Sequence, residues 1–206
     1  AWRLVDTQIG KSTVPGSNLQ WRWENPIDGL DARRNIANWE LLVITERIPL
    51  FIEGTNTQSW YLQGLQSQRT NLSNFVNNAW ELGKNGAGAP TLLWSTWVHT
   101  DNSDGDFRQT LDVQGLEWEK MLDYANANKP AGAPNVYMIP GHKMMARLYD
   151  DIAAGLVPGI SNIDQFFLAD KIHLNTLGAY AVSLIHYACV FNQSPVGLPN
   201  NVITNP

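Results

Sequence analysis

The chain has 206 residues, 44% hydrophobic and 16% charged, the composition of an ordinary globular domain with enough length for one sizeable core. A net charge of -5, a pI near 5.3 and no basic cluster longer than Arg33-Arg34 argue against a nucleic-acid partner, because nothing competes for a polyanion's phosphates. No apolar run approaches the roughly 20 residues that span a bilayer, so no membrane partner is expected.

The opening AWRLVDTQIG has neither the basic start nor the apolar centre of a signal peptide. A start at Ala1 is compatible both with removal of such a peptide, hence a secreted or periplasmic protein, and with truncation, which leaves the compartment open. RLVDTQI reads as a strand entering the loop GKSTVPGSNLQW. Three short apolar runs closed by polar or turn residues read as buried parallel strands: ELLVIT (40–45), TLLWST (91–96) and NVYMIP (135–140). Helical periodicity covers about 59–83, 113–128, 142–154 and 175–191. Glycine and proline in LGKNGAGAP (82–90) and NKPAGAP (128–134) close one element before the next begins. This alternation predicts an α/β three-layer αβα sandwich around a parallel sheet, one domain over 1–206.

In such sheets the ligand crevice lies beyond the carboxyl ends of the strands. The residues there are Thr45-Glu46-Arg47, Thr96-Trp97-Val98-His99 and Gly141-His142-Lys143, and the GKSTVPGSNLQW loop is expected to line the same crevice. Trp97 would wall the pocket. His99 and His142 read as hydrogen-bonded rim residues without metal-ligand spacing, and His186 as a core or helix-face histidine. Cys189, the single cysteine, lies in HYACVF and reads as a small buried hydrophobe; no intramolecular disulfide is possible. Nine tryptophans, several near polar turns, suit stacking on sugar rings and equally suit ordinary packing.

Ahead of the last helix stands Asp170-Lys171-Ile172-His173. A carboxylate that holds one imidazole nitrogen fixes the tautomer and frees the other nitrogen to take a proton from a hydroxyl nucleophile. The same spacing also fits a helix cap formed by Asp170 or Asn175 with His173 as a polar neighbour.

DKIHLNTLGAYAVSLIHYACVF followed by SPVGLP resembles the C-terminal block of the SGNH (GDSL-like) hydrolases. PGSNLQWRW (15–23), LVITERIPL (42–50), STWVHT (95–100) and MIPGHKMMARLYDDIAAGLVPG (138–159) are similar, in order, to blocks of a bacterial branch of that family. The resemblance implies a flavodoxin-like sandwich and a serine esterase acting on a small acyl ester, its alcohol a small molecule or carbohydrate, with no metal or organic cofactor. Asp170 would orient His173, the general base and later acid, and Gly16 would offer its N–H to the oxyanion. Glu46 stands where the family has an asparagine, so it would bind substrate or pair with Arg47. The family's Gly-x-Ser nucleophile follows a first strand and is separated by a helix from the Gly16-type block. Here the nearest match, Gly10-Lys11-Ser12, leaves no room for that helix, which makes Ser12 a weak nucleophile candidate; Ser17, beside Gly16, would need another geometry to attack. The resemblance therefore implies that the family's first strand and helix are lacking. The serine would come from an N-terminal segment or a second chain, unless the fold has become a non-catalytic carbohydrate- or partner-binding module.

Overall fold

The computed structural model describes residues 7–199; within them lie five α-helices, two 3-10 turns and three strands. The strands β1 (Leu42–Ile44), β2 (Thr91–Ser95) and β3 (Tyr137–Pro140) fall inside the three apolar runs and form a parallel sheet in that order. Leu42 to Ile44 pair with Thr91 to Leu93, and Leu92 to Ser95 with Tyr137 to Pro140. Thr7 to Ile9 carry no strand, and the rest of the strand expected over RLVDTQI lies outside the described residues.

The long helices α2 (Ser59–Gly86) and α3 (Phe107–Ala127) pack on each other and on the face of the sheet that carries Leu42, Ile44 and Leu93. Trp118 and Met121 of α3 and Leu72, Phe75 and Ala79 of α2 are among the most deeply buried side chains of that core. Helix α2 loses helical backbone at Gly83, Lys84 and Asn85, and Gly83 lets the chain return close beside it, since a side chain there would lie 2.4 Å from Ala89 Cβ. Helix α3 starts six residues before the expected 113, because Asp106 caps it and accepts the N–H of Gln109.

Strand β3 runs straight into helix α4 (Gly141–Ala153). Gly141 permits this, since a Cβ there would sit 2.3 Å from the Ser95 carbonyl oxygen. The last helix, α5 (Thr176–Phe191), crosses the other face, where His186 stacks edgewise on Trp94 with ring centroids 4.8 Å apart. A second core of Trp97, Phe107, Leu111, Met145, Phe166, Phe167 and Val182 lies where α3, α4 and α5 meet beyond the strand ends. The fold is thus mixed α/β around a small parallel sheet. One unexpected helix, α1 (Leu19–Glu24), begins in the last residues of the stretch read as loop.

Candidate active site

The chain from Phe166 to Asn175 folds back on itself before α5 begins. Phe167 bridges Leu174, the Leu168 N–H donates to the His173 carbonyl at 2.7 Å, and the Asn175 N–H donates to the Phe166 carbonyl at 3.1 Å. Lys171 takes a left-handed φ of 64° at the tip, and its ammonium lies 2.7 Å from Asp164. The end of β2 holds this loop from below. Trp97 donates its indole N–H to the Ile172 carbonyl at 3.1 Å, and the Thr100 N–H donates to the Lys171 carbonyl at 2.9 Å.

On that braced turn Asp170 Oδ1 accepts the N–H groups of Ile172 (3.2 Å) and His173 (3.0 Å), and Oδ2 lies 2.7 Å from His173 Nδ1. The backbone N–H of His173, then its ring, then the N–H of Ile172 hold the Asp170 carboxyl down at about 2. An ionised carboxylate only accepts, so in the neutral imidazole the proton sits on Nδ1 and the lone pair on Nε2. The His173 side chain is 76% exposed and that of Asp170 49%, so Nε2 faces open solvent. The helix cap is a separate residue, Asn175, whose Oδ1 accepts the Gly178 N–H at 3.1 Å. Both roles that the spacing allowed are therefore present, on different residues.

Beyond β1, Glu46 is buried, and its Oε1 accepts the N–H of Leu19 at 3.0 Å and of Arg47 at 2.6 Å. It thereby caps the first turn of α1 together with Asn18, whose Oδ1 accepts the Trp21 N–H. Burial raises the Glu46 carboxyl to about 7, against the opposing pull of those two N–H groups and the Arg47 charge. Arg47 is exposed and reaches the Gly16 carbonyl at 3.5 Å, with no carboxylate partner among the described residues. Gly16 has a φ of 73°, which favours glycine, and its N–H has no acceptor among the described residues. The Ser17 hydroxyl donates to Val14 within its own turn at 2.7 Å. Ser12 Oγ accepts from Arg22 at 2.6 Å and from the Ala32 N–H at 3.1 Å, so it ties α1 to the segment before β1 and touches no histidine.

Other expectations are corrected by burial. Trp97 is buried under the Asp170 turn and does not wall an open pocket. His142 is not a rim residue: it is buried, with Nδ1 2.7 Å from Ser95 Oγ, and burial pushes its ring down to about 4. Cys189 is half-buried. His99 stands half-exposed with Nδ1 2.7 Å from Asp104, a pairing that no local spacing signalled because Asp104 returns through residues 100–103, where Asn102 takes a left-handed φ of 62°. Sequence reasoning also missed Trp60, Gln63 and Ser67. These share one face of α2 and line a cleft of about 300 Å³ with Asn18, Glu46 and Arg47; the polar stripe at i, i+3 and i+7 was the available signal. No group of three or more His, Cys, Asp or Glu among the described residues is placed to hold a metal.

Trp97, Asp170 and His173 thus form one connected unit past β2, and His99, past the same strand, pairs instead with Asp104. Gly16, Ser17, Glu46 and Arg47 form another past the neighbouring β1, and Ser12 belongs to neither. Comparison of the chain with protein-family models, with curated proteins and with solved structures finds no match.

Proposed function

We propose that this chain carries the acid–base half of a serine esterase of SGNH type, on a flavodoxin-like αβα sandwich, and that it hydrolyses a small acyl ester. The observation that carries the reading is the 2.7 Å contact from Asp170 Oδ2 to His173 Nδ1 on a braced turn, with Nε2 open to solvent. A serine hydroxyl attacks the ester carbonyl while Nε2 takes its proton, and the Asp170 carboxylate stabilises the imidazolium that results. The tetrahedral oxyanion meets the free N–H of Gly16. His173 then protonates the leaving alcohol, and a water that it deprotonates releases the acid from the acyl-enzyme. The hydroxyls of Ser12 and Ser17 serve the loop and reach no histidine; on this reading the attacking serine is supplied by an N-terminal segment or a second chain, as the family resemblance implies.

The test uses the natural full-length polypeptide and p-nitrophenyl acetate. His173→Ala should lower kcat/KM by about 10³-fold or more and abolish serine labelling by a fluorophosphonate, without changing Tm. Wild-type turnover in that variant sinks the assignment. A second reading, a non-catalytic carbohydrate- or partner-binding module, is favoured by the engagement of both loop serines away from any histidine. It prevails if the full-length protein is neither labelled nor active.

A further inference from the structure

The cleft between α1, α2 and the end of β1 has features that acyl transfer does not use. Its volume of about 300 Å³ is that of a small-ligand site. One wall is the first turns of α2, where Trp60, Gln63, Gly64 and Ser67 share a face. Trp60 is 58% exposed, a large apolar ring at a cleft whose lining also carries Asn18, Arg47 and Gln63. It is also held in place. Phe51 and Tyr61 meet it edge to face, with centroids at 6.3 and 5.6 Å, and they meet each other at 5.0 Å. The Tyr61 hydroxyl accepts the Ile52 N–H at 2.6 Å, and the indole N–H of Trp60 donates to Gln58. Gly64 makes room for this brace, since a Cβ there would lie 2.5 Å from the Phe51 ring.

Around the exposed indole stand polar groups with capacity to spare. The Arg47 guanidinium makes, among the described residues, only its 3.5 Å contact with Gly16. Asn18 uses its carbonyl on Trp21 and leaves its NH₂ without an acceptor among the described residues. Gln63 donates to Ser59 at 3.1 Å and leaves its carbonyl oxygen without a donor among them. An apolar ligand would bury those donors and acceptors unpaired, at a cost. A simple anion would use Arg47 and leave the indole face idle, beside a carboxylate. A ligand with a flat apolar C–H face and a rim of hydroxyls, each both donor and acceptor, satisfies every group at once.

We propose that this cleft binds a pyranose ring of an oligosaccharide, stacked on Trp60, with its hydroxyls bonded to Arg47, Asn18 and Gln63. That the ring belongs to the alcohol portion of the ester rests on the esterase reading, through Arg47 and Asn18, which flank the Gly16 turn; the binding itself does not.

The experiment is titration of the ¹⁵N-labelled chain with xylohexaose, cellohexaose and chitohexaose, following the indole N–H signal of Trp60, assigned by its loss in Trp60→Ala. At least one sugar should move that signal saturably, with a Kd below about 1 mM, and Arg47→Met and Gln63→Ala should each weaken binding by about threefold to tenfold. Trp60→Ala, followed through the backbone amides of the same cleft, should weaken it by about tenfold or more. The proposal is overturned if none of the three sugars moves the signal up to about 10 mM, or if Trp60→Ala, with an unchanged Tm, binds within about twofold of wild type. Turnover of p-nitrophenyl acetate, an ester without a sugar, reports separately on Asp170 and His173, so failure of the esterase leaves the sugar titration readable, and the reverse.

Discussion

Two buried groups, Glu46 beyond β1 and His142 beyond β3, titrate in opposite senses, and their variants should separate what the wild-type protein conceals. Glu46 has its carboxyl raised from 4.5 to about 7 by burial. The native chain therefore keeps a proton that the unfolded chain releases. Its contribution to stability is complete below 4.5 and is lost as pH rises through about 7, a loss of about 3 kcal/mol at about 1.4 kcal/mol per pH unit. His142 has its ring lowered from 6.5 to about 4, chiefly by burial and secondarily by the Lys143 charge. Here the unfolded chain takes the proton first, so the contribution is complete above 6.5 and is lost as pH falls through about 4. The ring also lines a groove with Arg108, Asp112, Glu119 and Lys143, where solvent screens this effect to about 2 kcal/mol. Between pH 4.5 and 6.5 the two slopes largely cancel. Glu46→Gln keeps an oxygen for the Leu19 and Arg47 N–H groups and removes the titration. Urea unfolding followed by tryptophan fluorescence from about pH 4 to 8 should show this variant gaining about 3 kcal/mol relative to wild type as pH rises. His142→Asn, whose amide nitrogen can replace Nδ1 at Ser95, should lose the acid-side decline and leave a stability that falls towards pH 8. Parallel profiles for wild type and Glu46→Gln would show that the carboxyl ionises normally in the fold, and the argument from burial would fail.

His173→Ala and Asp170→Asn should both suppress ester turnover in the full-length polypeptide. The second acts by placing an amide donor against Nδ1, and a ¹⁵N spectrum of the ring should show the proton moved to Nε2. Arg69→Met strips the buried Glu117 carboxylate, 2.6 Å from the guanidinium, of its counter-charge and should cost about 3 kcal/mol in urea unfolding. A result below about 1 kcal/mol would mean that Gln68 and solvent suffice for Glu117. Gly178→Ala puts a Cβ 2.2 Å from the Phe166 carbonyl, where α5 seats on the turn that carries the dyad, and should cost about 1–3 kcal/mol and reduce turnover as well. Unchanged Tm and turnover in that variant would show that the turn does not depend on how α5 is seated.

Much of the fold was legible because it is local. Three short apolar runs gave three strands within a residue or two of their bounds, and the long amphipathic periods gave α2, α4 and α5. What failed was governed by partners distant in sequence. Helix α1 has six residues, too few to persist alone; Asn18 caps it locally, but Glu46, 27 residues beyond Leu19, supplies the other acceptor. The three apolar runs read as buried strands. Val43 and Tyr137 are nevertheless exposed on the sheet face opposite Leu42, Ile44 and Leu93, and α5 fully buries only Gly178 and Val182. Periodicity reports which residues could be covered, whereas coverage depends on what packs across from them.

The same distinction separates the two halves of the candidate site. Asp170 and His173 are three residues apart, and the turn that joins them makes its own hydrogen bonds at i+2 and i+3, so a four-residue pattern contains nearly all of its geometry. The brace that aims it is not in that pattern. Trp97 and Thr100 reach it across more than 70 residues, and they turn an apparent pocket wall into a buried strut. The Trp60 cleft has no local signature of comparable strength, because its walls come from residues 18–20, 46–51 and 60–68 and meet only once α2 lies against α1. A short motif can therefore reveal how a proton is moved well before it reveals which molecule is held beside it. For that reason the two halves call for separate assays, one reading the histidine and the other the indole.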